Sequence, residues 1–338
     1  MKYNLLGNTG LKVSELCLGT MTFGGSGMWT AIGTMPQREV NELIKTSVDA
    51  GINFIDTANI YSYGISEQMT GQAIRDLGLN RDDLVIATKV RGQMSEGPNN
   101  SGLSRKHILQ QADESLNRLN MDYIDLYQIH GFDPLTPMEE TLEALDSLVK
   151  SGKVRYIGCS NLAAWQIMKA LGISAQHHLS KFVSLQAYYT IAGRDLEREL
   201  VPMLLDQKIG LMVWSPLAGG FLSGKYSRNA STEEGRRVNF DFPPINKDKA
   251  FDIIDVMQEI ATLKSVTVAQ VALAWLLHQP VVTTVIIGAK KQEQLLDNLK
   301  ATEVKLTPDE LAQLDAVSKL APEYPGWMID RQSGDRKK

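Results

Sequence analysis

Short apolar runs alternate with amphipathic helical patterns along most of this chain. Eight of the runs have the length expected for buried strands. In chain order they are Glu15–Leu18, Asn53–Ile55, Leu84–Thr88, Ile124–Ile129, Val154–Cys159, Phe182–Leu185, Gly210–Trp214 and Thr284–Ile287. Apolar residues recur between them at helical spacing, as in Val40, Leu43, Ile44 and Val48. This alternation predicts βα units and therefore parallel strands.

The number of units favours a closed barrel. Repeated right-handed βα crossovers bend a parallel sheet until it closes and loses its edges. A doubly wound open sheet is the alternative, but the first βα turn, Gly19–Gly24, lacks the Gly-x-Gly-x-x-Gly pattern that binds a pyrophosphate in such folds. We therefore expect residues 1–338 to form a single α/β domain, a (β/α)8 TIM barrel.

Local signals predict elements outside the repeated units. The turn Gly7–Gly10 lies between apolar residues, which predicts an N-terminal hairpin that covers the bottom of the barrel. Thr136-Pro-x-Glu139 and Thr307-Pro-x-Glu310 each combine a threonine cap, a first-turn proline and a glutamate at the third position. Both motifs predict helix starts, and the second belongs to an additional C-terminal helix.

Composition excludes several classes of partner. A net charge of −4 provides no basic surface for nucleic acid or an anionic membrane, so a small molecule is the expected partner. Cys17 and Cys159 lie within strand candidates, which suits reduced core thiols. Residues 1–7 lack a signal-peptide pattern, and no apolar run approaches the roughly 20 residues of a membrane span. We expect a cytoplasmic protein without a metal site, and association into a homo-oligomer is left open.

Four residues capable of proton chemistry occur at or just after predicted strands. They are Asp56, Tyr61, Lys89 and His130. Because the carboxyl ends of barrel strands converge on one rim, these side chains are expected to meet. An ammonium beside a phenol lowers the phenol pKa from about 10, and a carboxylate can hold the ammonium. The pattern predicts a catalytic cluster with Tyr61 as proton donor and His130 polarising a carbonyl oxygen. Taken singly, each residue also fits a structural role.

Two long loops, Met21–Pro36 and Ala218–Lys247, interrupt the alternation on the predicted catalytic rim. Gly219–Lys225 nearly matches a Walker A loop, but Tyr226 replaces the hydroxyl residue and no helical pattern follows at once. This excludes a nucleoside triphosphatase. The glycines and Lys225 fit either a phosphate-binding loop or a mobile surface loop with an incidental lysine.

The motifs together resemble the aldo-keto reductases, in the branch with long loops that also contains the potassium-channel β subunits. The matching segments are Gly51-Ile-Asn-Phe-Ile-Asp56-Thr-Ala-x-x-Tyr61, Lys89, Gln128-Ile-His130, Gly158-Cys-Ser160-Asn161, Gln186, Trp214-Ser215-Pro216-Leu217 and Gly288-Ala-Lys290-x-x-x-Gln294. The resemblance implies NADPH-dependent reduction of aldehydes or ketones to alcohols. It assigns the catalytic tetrad to Asp56, Tyr61, Lys89 and His130.

The resemblance also implies which residues contact an extended nicotinamide coenzyme. They are Gly19, Thr20, Met21 and Asp56 on the rim, Ser160, Asn161 and Gln186 at the carboxamide, Trp214 on the nicotinamide ring, Ser215, Leu217, Gly219, Ser223 and Lys225 at the pyrophosphate, and Gly288, Lys290, Gln294 and Asn298 towards the adenosine. Lys290 stands where NADP-preferring members commonly have arginine. A lysine keeps the charge for a 2′-phosphate, so NADPH or NADP+ is expected in preference to NADH.

Substrate contacts are expected from Trp29, Tyr61, His130 and Phe132. Further candidate walls for an apolar or aromatic aldehyde are Met28, Tyr63, Met94, Tyr188 and Trp327. Two alternative functions also fit these residues. One is an NADPH-binding regulatory subunit with little turnover, and the other is a Schiff-base barrel aldolase that uses Lys89.

Overall fold

Eight parallel strands close into a barrel in the computed structural model, which describes residues 1–228, 237 and 240–334. A two-stranded antiparallel hairpin precedes them. The strands are β1 Tyr3–Leu5, β2 Lys12–Ser14, β3 Leu16–Gly19, β4 Phe54–Asp56, β5 Val85–Val90, β6 Ile124–Ile129, β7 Val154–Ser160, β8 Phe182–Tyr188, β9 Gly210–Trp214 and β10 Val282–Ile287. Strand β10 pairs with both β9 and β3, which closes the sheet and confirms the predicted (β/α)8 fold.

Helices surround the barrel and turn their apolar faces towards it. Their bounds are α1 Gln37–Asp49, α2 Ile65–Asp76, α3 Arg105–Leu119, α4 Met138–Lys150, α5 Ala164–His177, α6 Leu200–Gln207, α7 Lys247–Lys264, α8 Val268–Leu277, α9 Gln292–Leu299, α10 Pro308–Ser318 and α11 Gly326–Ser333. In α1 the predicted stripe Val40, Leu43 and Ile44 is buried. Helices α10 and α11 follow the eighth unit and supply the expected C-terminal addition.

Several strands extend further than their apolar runs predicted. Asp56 is the last residue of β4 and pairs in the ladder with Gly19 and Ala87. Lys89 lies within β5 and pairs with Gln128. The predicted ends fall one residue short at β4 and two residues short at β5, because the polar residues Asp56 and Lys89 end the apolar runs but not the strands. These residues remain hydrogen-bonded sheet residues.

One of the two predicted helix caps is confirmed. Thr307 caps α10, where its hydroxyl accepts from the backbone N–H of Glu310 and the Glu310 side chain accepts from the N–H of Thr307. The motif at Thr136 correctly predicts a helix start, since α4 begins at Met138, but the predicted threonine cap is wrong because no side chain caps this helix. The Thr136 hydroxyl instead donates to Asp133 Oδ2 at 2.7 Å.

The N-terminal hairpin closes the bottom of the barrel, as predicted. Leu6 and Val13 are fully buried in a cluster that includes the barrel-strand residues Phe54, Leu126 and Met212. Asn4 Nδ2 also donates to the carbonyl oxygen of Thr283 at 2.8 Å. The hairpin therefore packs against the amino ends of the strands and leaves the opposite rim to the site.

The two cysteines lie on β3 and β7 and are buried and unpaired, as the sequence predicted. Burial raises the pKa of both thiols. In residues 1–228, 237 and 240–334, no single helix is long and apolar enough to cross a membrane; α7 and α8 pass that test only together, and they are bent by 99° at their junction. The same ranges hold no cluster of three or more His, Cys, Asp or Glu arranged for a metal ion.

Candidate active site

Three of the four predicted catalytic side chains meet in direct contact at the carboxyl ends of β4 and β5. Lys89 Nζ lies 2.6 Å from Asp56 Oδ2, 2.7 Å from the carbonyl oxygen of Thr57 and 3.3 Å from Tyr61 Oη. An ammonium has three donors, and these three acceptors match that number. Lys89 is thereby held in one orientation against the phenol.

The surroundings keep Lys89 charged. The Lys89 side chain is 0% exposed and that of Asp56 is 3% exposed. Burial alone lowers the pKa of Lys89, but the charges and hydrogen bonds of Asp56 and Tyr61 outweigh it, so the pKa is raised. A Schiff-base nucleophile needs a neutral amine, which burial produces by lowering the pKa. The geometry is thus opposed to the aldolase alternative.

Two glutamine amides hold the second oxygen of Asp56. Gln186 Nε2 donates to Asp56 Oδ1 at 2.9 Å and Gln128 Nε2 at 3.1 Å. Gln186, which was predicted to bind a carboxamide, also contacts the tetrad through its amide nitrogen. Gln128 carried no predicted role. Gln128 is two residues before His130, so both side chains point to the same face of the sheet. This spacing is the sequence signal that could have identified Gln128.

His130 directly follows β6 and faces Tyr61. The two ring centroids are 5.8 Å apart with an interplanar angle of 75°. Burial and the positive charges of Lys89 and Arg91 lower the pKa of His130 to about 3. The imidazole is therefore neutral near pH 7 and can offer an N–H to an oxygen without being a proton source.

Arg91 was not predicted to belong to the site. Its backbone follows β5, and its Nε donates to the carbonyl oxygen of Phe132 at 2.9 Å. This contact holds the guanidinium near His130, whose pKa it helps to lower. Its position two residues after Lys89 was the only available sequence signal, because the contact depends on the path of the loop after β6.

Tyr61 is presented by an unusual turn between β4 and α2. Ser62, Tyr63 and Gly64 have φ values of 49°, 53° and 92°, all in the left-handed region. The hydroxyl of Ser62 donates to the carbonyl oxygen of Phe23 at 3.1 Å, which ties the turn to the first long loop.

That first long loop is ordered and places Trp29 beside Tyr61. Residues Gly27–Ala31 form a 3-10 turn, and the Trp29 ring centroid lies 5.4 Å from that of Tyr61 at 63°. Trp29 is 8% exposed, and its indole nitrogen has no hydrogen-bond partner within the described ranges. Trp29, a predicted substrate contact, thus lies beside the phenol ring on which the proposed chemistry depends.

Other predicted substrate walls occupy varied surroundings. Phe132 packs against Trp165 with ring centroids 6.3 Å apart, and both line a groove of about 300 Å³ between the loop after β6 and the start of α5. Met28, Tyr63 and Trp327 are 66%, 45% and 45% exposed. Tyr188 packs on Trp214 with centroids 5.1 Å apart. Met94 is partly buried in the loop after β5.

Ser160 and Asn161, which are expected to bind a carboxamide, lie at the carboxyl end of β7 and close to Trp214 at the end of β9. Ser160 Oγ is buried and has no hydrogen-bond partner in the part of the chain that the structure describes. Asn161 Oδ1 accepts from Trp214 Nε1 at 3.0 Å, and Asn161 Nδ2 donates to the carbonyl oxygen of His130 at 3.3 Å. The Trp214 ring is also stacked on that of Phe242, with ring centroids 6.0 Å apart and an interplanar angle of 10°. The Ser160 hydroxyl is therefore suited to bind a polar group of a ligand that lies next to the Trp214 indole.

The loop after β9 carries the predicted pyrophosphate contacts. Ser215 Oγ accepts from the backbone N–H of Gly219 at 2.9 Å, and Ser223 Oγ donates to the carbonyl oxygen of Gly220 at 2.7 Å. A Cβ on Gly219 would lie 2.5 Å from the carbonyl oxygen of Phe242, so only glycine fits there. Leu217 begins the turn, and Lys225 is exposed. Residues 229–236, 238 and 239 of this insertion lie outside the described residues.

Arg237 connects the two ends of this loop and was not predicted to have a role. Its guanidinium donates to the carbonyl oxygens of Ala218 at 2.7 Å and Pro243 at 2.9 Å. Arg237 is 7% exposed and also pairs with Asp241 at 2.6 Å. Arg237 follows Arg236 in a charged segment, and two adjacent arginines there give no sequence signal that one of them is buried.

The expected adenosine contacts lie after β10. The backbone N–H of Lys290 donates to Gln294 Oε1 at 2.9 Å, and Asn298 is buried on α9. Thr22 Oγ1 donates to the carbonyl oxygen of Ala289 at 3.0 Å and joins this segment to the one after β3. Gly19, Thr20, Met21 and Gly288 adjoin β3 and β10. The predicted cofactor residues therefore lie near the carboxyl ends of strands or in the loops after them, except Gln294 and Asn298, which lie on α9.

Sequence comparison decides the family. The model described as "Aldo/keto reductase family" matches residues 15–319. The chain belongs to the aldo/keto reductase family. The resemblance drawn from the motifs is therefore confirmed. Aldo/keto reductases are oxidoreductases that generally use nicotinamide cofactors.

The relatives of this aldo/keto reductase include a protein named as a channel subunit and proteins named as a reductase and an oxidoreductase. A "Probable voltage-gated potassium channel subunit beta" of Arabidopsis thaliana is 37% identical, over 96% of this chain and 99% of the relative. The "Versiconal hemiacetal acetate reductase" of Aspergillus parasiticus is also 37% identical, over 93% and 96%. An "Uncharacterized oxidoreductase YrpG" of Bacillus subtilis (strain 168) is 38% identical, over 94% and 96%. Near-complete coverage on both sides relates this aldo/keto reductase to these proteins along their whole length.

Proposed function

We propose that this aldo/keto reductase reduces aldehydes or ketones to alcohols with NADPH, with Tyr61 as the general acid. The observation that carries the proposal is the chain of contacts from Asp56 through Lys89 to Tyr61 Oη, at 2.6 Å and 3.3 Å. A buried ammonium against a phenol oxygen is the arrangement that lets a phenol release a proton near neutral pH.

A nicotinamide coenzyme fits the donors and acceptors present. Ser160 offers a buried hydroxyl without a partner in the described ranges, where a carboxamide could bond. Asn161, Gln186 and Trp214 would complete that end, while the turn from Ser215 to Lys225 would hold the pyrophosphate through backbone amides and one ammonium. When bound, the reduced nicotinamide supplies a hydride to the carbonyl carbon.

The protein's own residues supply and direct the proton. Tyr61 Oη gives its proton to the carbonyl oxygen as the C=O π bond breaks, so hydride and proton together convert the carbonyl into an alcohol. Lys89 stabilises the resulting phenolate, and Asp56 holds Lys89. Neutral His130 donates an N–H to the same oxygen and fixes its orientation.

The preference for NADPH is proposed from Lys290 and Lys291. Two adjacent ammonium groups at the start of α9 can pair with a 2′-phosphate as point charges, although they lack the planar fork of arginine. NADH has no such phosphate and would gain nothing from them.

The test begins with titration of the protein by NADPH and NADH, followed through tryptophan fluorescence. Aldehyde-dependent loss of reduced-nicotinamide absorbance is then measured for the wild type and for Tyr61→Phe. We expect Tyr61→Phe to lower kcat by about 10²–10⁴-fold, the range for loss of a general acid, with NADPH affinity nearly unchanged. Equal turnover in the two proteins would remove Tyr61 from the mechanism.

The pH profile provides a further check in the same experiment. A general acid must be protonated, so kcat/KM for reduction should fall as pH rises through the pKa of Tyr61. His130, with a pKa of about 3, should add no break between about pH 5 and 8. Tight NADPH binding without turnover across varied aldehydes would favour the regulatory alternative instead.

A further inference from the structure

A buried ion pair lies directly behind the tetrad and has no part in the chemistry described above. Arg118 Nε on α3 donates to Glu67 Oε2 on α2 at 2.6 Å. The Glu67 side chain is 0% exposed and that of Arg118 is 14% exposed. Buried charges are costly even when paired, so a pair retained in such a place invites a search for what it holds.

Glu67 links the elements that carry Tyr61 and Lys89. Its other oxygen, Oε1, accepts from the hydroxyl of Thr88 at 2.5 Å, and Thr88 precedes Lys89 in β5. Glu67 itself lies in the first turn of α2, which begins at Ile65 directly after the Tyr61 turn. One carboxylate thus bridges the two backbones that determine where the phenol and the ammonium lie.

Arg118 supports the Tyr61 turn from behind. A Cβ on Gly64 would lie 2.5 Å from Arg118 Cδ, so the turn packs directly on the arginine stem. Arg118 Nη2 donates to Ser115 Oγ at 3.1 Å and lies 3.5 Å from Gln111 Oε1. That same oxygen of Gln111 accepts from Asn59 Nδ2 at 2.9 Å. The network therefore holds the segment before Tyr61, at Asn59, and the segment after it, at Gly64.

The turn needs such support because its backbone is strained. Ser62 and Tyr63 are not glycine, yet both have left-handed φ values, and such conformations persist only where surrounding contacts fix them. We propose that Glu67 and Arg118 are positioning residues that set the separation between Tyr61 Oη and Lys89 Nζ. This inference rests on the proposed role of Tyr61 as general acid.

The test compares Glu67→Gln with a matched ion pair at the opposite end of the barrel. Arg81 Nη2 and Asp125 Oδ2 are 2.5 Å apart, with side chains 20% and 12% exposed. Asp125 lies near the start of β6, and its Oδ2 also accepts from the backbone N–H of Ile86 at 2.8 Å. Asp125→Asn therefore breaks a comparable Arg–carboxylate pair without touching the Tyr61 turn.

We expect Glu67→Gln to lower kcat by about tenfold or more, since displacement of a catalytic group by a fraction of an ångström has effects of this size. Its Kd for NADPH should stay within about twofold, as for a positioning effect on kcat alone. The pH midpoint for loss of activity should rise, because a phenol further from Lys89 ionises less readily. Arg118→Met should behave alike, and Arg118→Lys should recover part of the activity.

Asp125→Asn should leave kcat and the pH midpoint unchanged even if it lowers stability in urea. Thr88→Val removes only one bond of the network and serves if Glu67→Gln does not fold; it should raise the same midpoint by a smaller amount. The inference is overturned if Glu67→Gln and Asp125→Asn lower kcat in the same proportion to their loss of stability in urea. It is also overturned if Glu67→Gln leaves the pH midpoint unchanged.

Failure of the proposed function gives a different result. If the wild type shows no turnover, the ionisation of Tyr61 is followed directly as the phenolate absorbance difference between the wild type and Tyr61→Phe. If the pKa of Tyr61 rises in Glu67→Gln but not in Asp125→Asn, the positioning role is supported even though no turnover is seen. If Tyr61 ionises at the same pH in the wild type, Glu67→Gln and Asp125→Asn, the positioning role is overturned.

Discussion

Ser160 and Ser184 make a matched pair at the scale of the single residue. Both hydroxyls are buried and have no hydrogen-bond partner in the described residues. Ser160 ends β7 on the catalytic rim, whereas Ser184 lies in β8 opposite Gly210, the first residue of β9. A buried hydroxyl without a partner adds nothing to the stability of the fold and suits a ligand only at the rim.

We expect Ser160→Ala to weaken NADPH and NADH binding to a similar extent, by about fivefold, the value of one net hydrogen bond. Ser184→Ala should leave both affinities unchanged. Neither variant should lower the free energy of unfolding by more than about 0.5 kcal/mol, since no hydrogen bond within the protein is lost. Fluorescence titration and urea unfolding measure the two effects, and equal binding by both variants would remove Ser160 from the coenzyme site.

The sequence predicted the contact among Asp56, Tyr61 and Lys89 because the rim of a parallel barrel brings strand ends together whatever the side chains are. It did not predict the amides of Gln128 and Gln186 on Asp56, which depend on side-chain direction within the barrel. The low pKa of His130 was equally inaccessible, because burial and the approach of Arg91 follow from loop paths.

At the scale of the element, the hairpin turn provides another matched comparison. Gly7 has φ +58°, and a Cβ there would lie 2.3 Å from the carbonyl oxygen of Val183. Gly10, in the same turn, has no atom within 4 Å of such a Cβ. We expect Gly7→Ala to lower the free energy of unfolding by about 2 kcal/mol or more, from backbone strain and overpacking.

Gly10→Ala should change that free energy by less than about 0.5 kcal/mol, as is usual for a surface substitution. Urea unfolding of both variants measures the difference. Equal effects would mean that contact with the bottom of the barrel contributes little, and that the turn acts only through its own conformation.

Helix caps show where local sequence stops determining an element. The motifs at Thr136 and Thr307 are alike, yet only Thr307 caps a helix. Asp133 lies three residues before Thr136 and takes its hydroxyl, while its oxygens also accept from the backbone N–H groups of Leu103 and Leu135. The cap motif includes only neighbouring residues. It therefore cannot predict that Asp133, held by its contact with Leu103, accepts the Thr136 hydroxyl.

At the scale of the whole molecule, the count of βα units was enough to predict the closed barrel, because closure follows from the handedness of repeated crossovers. The same reasoning placed the site at the carboxyl ends of the strands. The contact between the two ends of the long loop after β9 could not be predicted in this way, since it depends on a buried arginine, Arg237, that bridges Ala218 and Pro243.

The proposed coenzyme contacts lie on strands such as β7 and β8 and in the segments after β3, β7, β9 and β10, which meet only when the barrel is closed. A ligand held by all of them binds the native state and not the unfolded chain. NADPH at 100 times its Kd should then raise the free energy of unfolding by about 2.7 kcal/mol. The increase should grow with the logarithm of the NADPH concentration, and NADH at the same concentration should give less.

Urea unfolding at several fixed coenzyme concentrations measures this stabilisation. Ser160→Ala provides the control, because its weaker binding should reduce the increase at a given NADPH concentration by about 1 kcal/mol, the counterpart of a fivefold loss in affinity. An increase that is the same for NADPH, for NADH and for Ser160→Ala would show nonspecific binding. No increase at all would mean that the segments around the rim do not form a coenzyme site in the folded protein.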